Sequence, residues 1–293
     1  MATGRPQSLV STCDQWMRAT HDGTALEMAS GDLMLSWTDP EAEEPSGDCT
    51  PGRGRTVDRM CRVYAAYPDR IDRIAVGETD GTVDYHAQPP PVTVIGEDPA
   101  APGARLTGAT FMSSAPPSLV DATGLAIDEG DRLYVGDRGR STISVIDLWS
   151  RRLLRTVQVA TPLSPDRHPV ALTSVGSEVV ALVDRPLGII RFSAWRGPVE
   201  EPLPDALADA PNPTTAVSIA ALPSGRPVLL VADAQGSGWL VADGVPAHEV
   251  GPATGIVVDV DGTVVVAPCP SSGRRLALRR WSPGPTWEKA LPL

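Results

Sequence analysis

The heptapeptide Ala122-Thr123-Gly124-Leu125-Ala126-Ile127-Asp128 returns 131 residues later as Ala253-Thr254-Gly255-Ile256-Val257-Val258-Asp259. A glycine-containing turn and an apolar run follow each copy: Leu133-Tyr134-Val135 in the first, Val264-Val265-Val266 in the second. The separation divides into three periods of about 44 residues, the length of a propeller blade. Degenerate copies lie between and before these two. SEVVALVD (177–184), RPVLLVAD (226–233) and DRLYVGD (131–137) each carry an apolar run that ends in Asp. Upstream, Cys61-Arg62-Val63-Tyr64-Ala65 matches Asp131-Arg132-Leu133-Tyr134-Val135, and apolar strands follow both, at 71–74 and 143–146. A hairpin is expected at 24–37 with Ser30-Gly31-Asp32 as its turn. Five units are visible, and the 293 residues leave room for six.

Apolar runs of this length, bounded by turns, suit strands covered on both faces, which is what stacked blades require. Composition agrees. With 27 Gly and 30 Pro there is little room for long helices, and with seven Trp, four Tyr and two Phe the core must come from Val, Leu, Ile and Ala. The fold expected is all-β: a single β-propeller over 1–293, six-bladed, with five blades as the alternative. Trp16 and Trp37 near one end and Trp281 and Trp287 near the other suggest that the two ends share one blade and close the ring. Three Pro-rich stretches break the period, near 39–55, 86–105 and 196–215, and are expected to be rim loops.

The stretch GLAIDEGDRLYVGDRGRSTISVIDL (124–148) resembles an NHL-type propeller repeat, and GIVVDVDGTVVVAP (255–268) matches its first half. Where that family usually has Asn before the third strand, this chain has Ser141 and Thr142. The resemblance implies a propeller and leaves function open, since the family holds scaffolds, binding modules and some enzymes. The segments 13–37 and 61–74 are also similar to propeller proteins of phage tail-like contractile injection particles of actinobacteria. That resemblance implies a baseplate or fibre accessory role.

The net charge is −11, so a nucleic-acid surface, which needs a positive field, is not expected. Cys13, Cys49, Cys61 and Cys269 form no Cys-x-x-Cys pair. The N-terminal residues lack the plan of a secretory signal and no apolar run is long enough to span a membrane, so a cytoplasmic or particle-associated protein is expected. Val257-Val258-Asp259-Val260-Asp261-Gly262-Thr263 has the form of the first motif of haloacid-dehalogenase-type phosphatases. However, it stands too near the end for the rest of that fold, and Asp-Gly-Thr recurs at 22–24 and 80–82, as hairpin turns do.

Asp128, Asp137, Asp184, Asp233 and Asp259 end or follow core strands, where carboxylates commonly cap turns. A hard-cation site is the alternative reading. Sugar-lactonase propellers hold a metal with Glu, Asn and Asp, but the single Asn here is Asn212, in a Pro-rich stretch. His21, His86, His168 and His248 are scattered, and there is no Gly-x-Ser-x-Gly, P-loop or dinucleotide fingerprint.

Arg274-Arg275-Leu276-Ala277-Leu278-Arg279-Arg280 reads as an outer strand with Leu276 and Leu278 on one face and Ala277 on the other with Arg275 and Arg279. If it is a docking edge, Arg275, Arg279, Trp281 and Trp287 are the partner-binding residues, since Arg and Trp are favoured at interfaces. The function expected is a non-catalytic protein-binding or structural propeller of a larger assembly, with no catalytic residue, cofactor or metal. The alternative is a metal-dependent lactone or ester hydrolase, which needs three or more strand-end carboxylates to converge.

Overall fold

A computed structural model describes residues 6–12, 15–20, 25–30, 33–38, 54–58, 63–67, 69–74, 92–95, 119–150, 152–212, 214–258, 262–268, 279–284 and 286–289. These residues form six four-stranded sheets, each built from four consecutive antiparallel strands. Sheet one is β1–β4 (Pro6–Thr12, Gln15–Thr20, Ala25–Ser30, Leu33–Thr38). Sheet two is β5–β8 (Arg55–Val57, Val63–Ala66, Ile71–Ile74, Val92–Ile95). Sheet three is β9–β12 (Ala122–Ile127, Arg132–Asp137, Thr142–Asp147, Arg152–Gln158). Sheet four is β13–β16 (His168–Val175, Glu178–Asp184, Gly188–Ser193, Val199–Glu201). Sheet five is β17–β20 (Thr215–Ala221, Pro227–Ala232, Gly238–Ala242, Val245–Gly251). Sheet six is β21–β24 (Ala253–Val258, Val264–Pro268, Arg279–Pro283, Trp287–Lys289).

The first strand of each sheet packs beside the first strand of the next, from β1 through β5, β9, β13, β17 and β21, and β21 lies against β1. Backbone and side-chain hydrogen bonds join these inner strands. Gly54 N–H donates to Thr123 O, the Thr123 hydroxyl to Pro169 O at 3.1 Å, and Ile256 N–H to Ser218 Oγ at 3.3 Å. Gly54 has to be glycine, because a Cβ there would stand 2.7 Å from Thr123 O and closer still to Leu125 N.

The Ala-Thr-Gly repeat has a structural task. Pairing of first with second strand slips near the start of β9, β13, β17 and β21, the signature of a β-bulge. At two of these bulges a threonine hydroxyl reaches the carbonyl thirteen residues on: Thr123 to Gly136 O at 3.4 Å and Thr254 to Ala267 O at 3.5 Å.

Continuous apolar runs arise because successive side chains of one strand enter two different cores. In β14, Val179, Ala181 and Val183 join the cluster shared with sheet three, while Val180 and Leu182 join the one shared with sheet five. Leu133 and Val135 of β10 face sheet two, and Tyr134 faces sheet four. Val228 and Leu230 of β18 face sheet six, whereas Leu229 and Val231 face sheet four. Each such buried aliphatic side chain contributes about 1.5–3 kcal/mol, and no sheet can realise it without a neighbour on each side.

Two expectations are corrected. The chain ends do not share a sheet: β1–β4 and β21–β24 each complete one, and the two sheets lie side by side through β1, β21 and β22. Consecutive hairpins reach four strands without a borrowed one. Nor is 196–215 simply a rim loop. It supplies β16, a short 3-10 helix at Asp205–Asp209 and the start of β17, while β8 lies within 86–105. Outermost strands keep one unpaired edge, so they tolerate the prolines and charges that had suggested loops. The stretch 39–53 lies outside the described residues.

Candidate interaction surface

Four antiparallel strands return the chain to the face it started from. The turns after first and third strands therefore lie on one face, and the turns after second strands, with the sheet-to-sheet connections, lie on the other. Contacts along the first face agree: Glu129 N–H donates to Gly176 O at 3.1 Å, and Gly225 and Gly262 abut Val175 and Pro223 of the preceding sheets.

This division separates the strand-end carboxylates. Asp128, after β9, is on the first face. Asp137, Asp184 and Asp233, which end or follow β10, β14 and β18, are on the second. Their lone pairs are largely used locally. Asp128, buried, accepts from Gly130 N (2.9 Å), Arg132 N (3.1 Å), Arg132 Nη1 (3.2 Å) and Tyr134 Oη (2.9 Å). Burial, reinforced by that carboxylate, pushes the Tyr134 phenol far above its usual range. Asp58 and Tyr64 repeat this pair in sheet two at 3.1 Å.

Asp137 accepts the amides of Val120, Asp121 and Arg140. Asp233 accepts those of Gln235 and Ser237 and the Trp239 indole N–H. Desolvation works to raise Asp233, but these donors outweigh it and hold its carboxyl below the usual value. Among the described residues no three His, Cys, Asp or Glu are grouped to hold a metal. Asp259, Asp261, His21, His86 and the four cysteines lie outside the described residues. The Asp-Gly-Thr at 22–24 separates the paired strands β2 and β3, and the stretch through Asp259 and Asp261 separates the paired strands β21 and β22, with Gly262 at φ 84°.

Of the four partner-binding residues expected, two face inward. Trp287 is 8% exposed, packs in the core between sheets five and six, and donates its indole N–H to Pro246 O at 2.9 Å. Trp281 packs against the same core and lies 4.2 Å, centroid to centroid, from the His248 ring. The third and fourth strands of sheet six turn one face to sheet five, and these indoles, Trp287 buried and Trp281 half-buried, pack into that seam. Arg279 belongs to β23, with its side chain outside the described set, and Arg275 lies outside it altogether.

Large exposed apolar side chains stand elsewhere. Trp149 (78% exposed), Trp195 (74%) and Val199 (47%) belong to the turns after third strands, or the residues just beyond, in adjacent sheets three and four, while Leu163 (95%) and Val120 (54%) stand in sheet-to-sheet connections on the second face. Trp149 and Trp195 hold the same place in their repeats, two residues past the ends of β11 and β15. Both are tethered to the end of the β9–β10 turn. The Trp149 indole donates to Asp131 Oδ2 at 3.3 Å, and the Arg132 guanidinium lies 5.5 Å from the Trp195 ring centroid while its other end reaches Asp128.

Arg196 pairs with Glu178 at 3.2 Å, and Arg155 Nη1 donates to Arg196 O. Exposed tryptophans held in place by polar contacts, with arginines beside them, have the composition of interface hot spots. The sequence contained this signal: a large aromatic residue at one turn position of consecutive repeats, DLWS and SAWR, where turns are ordinarily polar.

No protein-family model and no curated protein matches this chain. Solved structures do. Virginiamycin B lyase from Staphylococcus aureus is 12% identical over 98% of this chain and 84% of its own, with a TM-score of 0.57. U3-55K is 11% identical over 99% of this chain and 82% of its own, also at 0.57. A protein of unknown function from Bacteroides thetaiotaomicron is 10% identical over 92% of this chain and 68% of its own, at 0.56. At such identities the likeness is one of fold, and the fold is the β-propeller.

Proposed function

We propose that the chain is a six-bladed, non-catalytic propeller that docks a partner protein within a larger assembly through the face bearing Trp149 and Trp195. The observation that carries this reading is the pair of exposed indoles at one repeat position of neighbouring sheets, each fixed by a polar contact. An isolated surface needs no such aromatic pair, whereas an interface core favours it. The NHL-type and injection-particle resemblances of the sequence are compatible with a baseplate or fibre accessory. No described helix is long and apolar enough to cross a membrane.

The hydrolase alternative finds less support. Its described strand-end carboxylates are divided between two faces, with Asp128, Asp137 and Asp233 bound up in turns, and a fold shared with a lyase at 12% identity carries no active-site residue across. The test is sedimentation of a native lysate through a density gradient, with the chain located by mass spectrometry. Migration with a large particle is the expected result. Migration as a free chain of 30.8 kDa, together with calcium-dependent ester turnover, would overturn the proposal.

A further inference from the structure

We infer that the surface around Trp149 and Trp195 takes an extended acidic segment of the partner. This rests on the docking reading above and specifies what docks. Area is the first argument. Two indoles about three-quarters exposed and a half-exposed valine offer on the order of 400 Å² of apolar surface, about half of the 800 Å² per partner that a folded interface buries. A short segment is covered by such a patch, and a globular face is not.

Charge is the second argument. Most acids around the patch are engaged: Asp128 is buried on Arg132 and Tyr134, Asp131 holds the Trp149 indole, Asp147 caps the Ser150 amide at 2.7 Å, and Glu200, beside Val199, pairs with both terminal nitrogens of Arg167, while Glu129 on the β9–β10 turn stays exposed. The arginines are outward. Arg152 is exposed, Arg196 keeps 65% of its side chain in solvent, and Glu178 is its surface partner. Surface pairs of that kind are weak and exchange readily for a better-placed carboxylate. The outer strand β12 carries Arg152 and Arg155 and no acid, in a chain of net charge −11. At physiological ionic strength the Debye length is about 8 Å, so the local arginines act on a bound segment more strongly than the distant acids.

Geometry is the third. Trp149 and Trp195 flank the consecutive residues Asp131 and Arg132, and β12, which leaves the Trp149 turn, is the outermost strand of sheet three among the described residues. An extended peptide lying along that strand can place apolar side chains on both indoles and carboxylates on Arg152 and Arg196, where bidentate pairing is available.

The experiment is fluorescence anisotropy with the full chain in 0.15 M salt. One probe is a labelled ten-residue peptide alternating Glu with Leu and Pro; the other has Lys in place of every Glu. The acidic peptide is expected to bind at least tenfold more tightly. W149A and W195A are each expected to weaken it tenfold or more, and an R152E/R196E variant to reverse the preference. Thermal melts confirm that the variants remain folded. Equal or tighter binding of the Lys peptide, binding unaffected by W149A and W195A, or no binding of either peptide overturns the inference. If particle co-sedimentation is lost in W149A/W195A while neither peptide binds, docking at this face stands and the acidic segment does not.

Discussion

Trp287→Ala and Trp195→Ala should report on opposite properties of the molecule. Trp287 is 8% exposed, so roughly 180 Å² of indole is withdrawn from water, worth about 4–5 kcal/mol at ~25 cal/mol per Å². Truncation also leaves the Pro246 carbonyl without its 2.9 Å donor. An unfolded chain already covers part of such surface, which brings the expected loss to about 3–5 kcal/mol, the range for large aromatic truncations. Trp195 is 74% exposed, so about 50 Å² is covered and its removal costs about 1 kcal/mol at most. Urea denaturation of the full chain, followed by far-UV circular dichroism, separates the two. Trp287→Phe should recover most of the loss, retaining a deficit of about 1 kcal/mol for the absent N–H. Equal midpoints for W287A and W195A, or a W287A chain as stable as the unaltered one, would refute the assignment of Trp287 to the core.

Other outcomes follow from the same contacts. Asp128→Ala strands the Arg132 guanidinium and the Tyr134 hydroxyl, and should cost about 3–5 kcal/mol by calorimetry; a neutral effect contradicts the buried pair. Thr123→Val removes the hydroxyl shared by Gly136 and Pro169 and should cost about 1 kcal/mol, read from the urea midpoint. Burial holds the His248 pKa below 6.5, with Glu249 partly opposing. The folded chain thus takes up that proton at lower pH than the unfolded one. Stability from this group is full above about 6.5 and declines as pH falls below it. Melting temperature should show this decline between pH 7 and 5, and H248Q should lose that part of it; an unchanged profile in H248Q contradicts the assignment. A chelator should move the melting temperature by less than about 1 °C, because Asp128, Asp137 and Asp233 are engaged by protein donors.

The second strands of the blades were the most legible part of the fold. Their side chains feed a core on each face, so β10, β14, β18 and β22 appear as unbroken apolar runs, and the Ala-Thr-Gly repeat marks the bulged first strands beside them. The outer strands were not legible. Val199–Glu201 and Val92–Ile95 are three and four residues long and flanked by prolines; the first is acidic, and the second, though β-branched throughout, is too short to stand out from the Pro-rich stretch around it.

The proposed interaction surface was half legible. Residue type alone points to Trp281 and Trp287, because Trp and Arg favour interfaces, but the same indole serves equally to fill a seam between sheets. Only the position of Trp149 and Trp195 within the repeat, past the end of a third strand, distinguishes an exposed tryptophan from a buried one.

The most direct measurement is site-specific photo-crosslinking in the native host. A photoreactive residue is placed at Val199, beside the tryptophans, and in a second chain at Leu163, which is 95% exposed on the opposite face. A discrete protein adduct is expected from position 199 and none from 163. An adduct from 163 alone, or none from 199 in a chain that still sediments with a particle, would contradict the proposed docking.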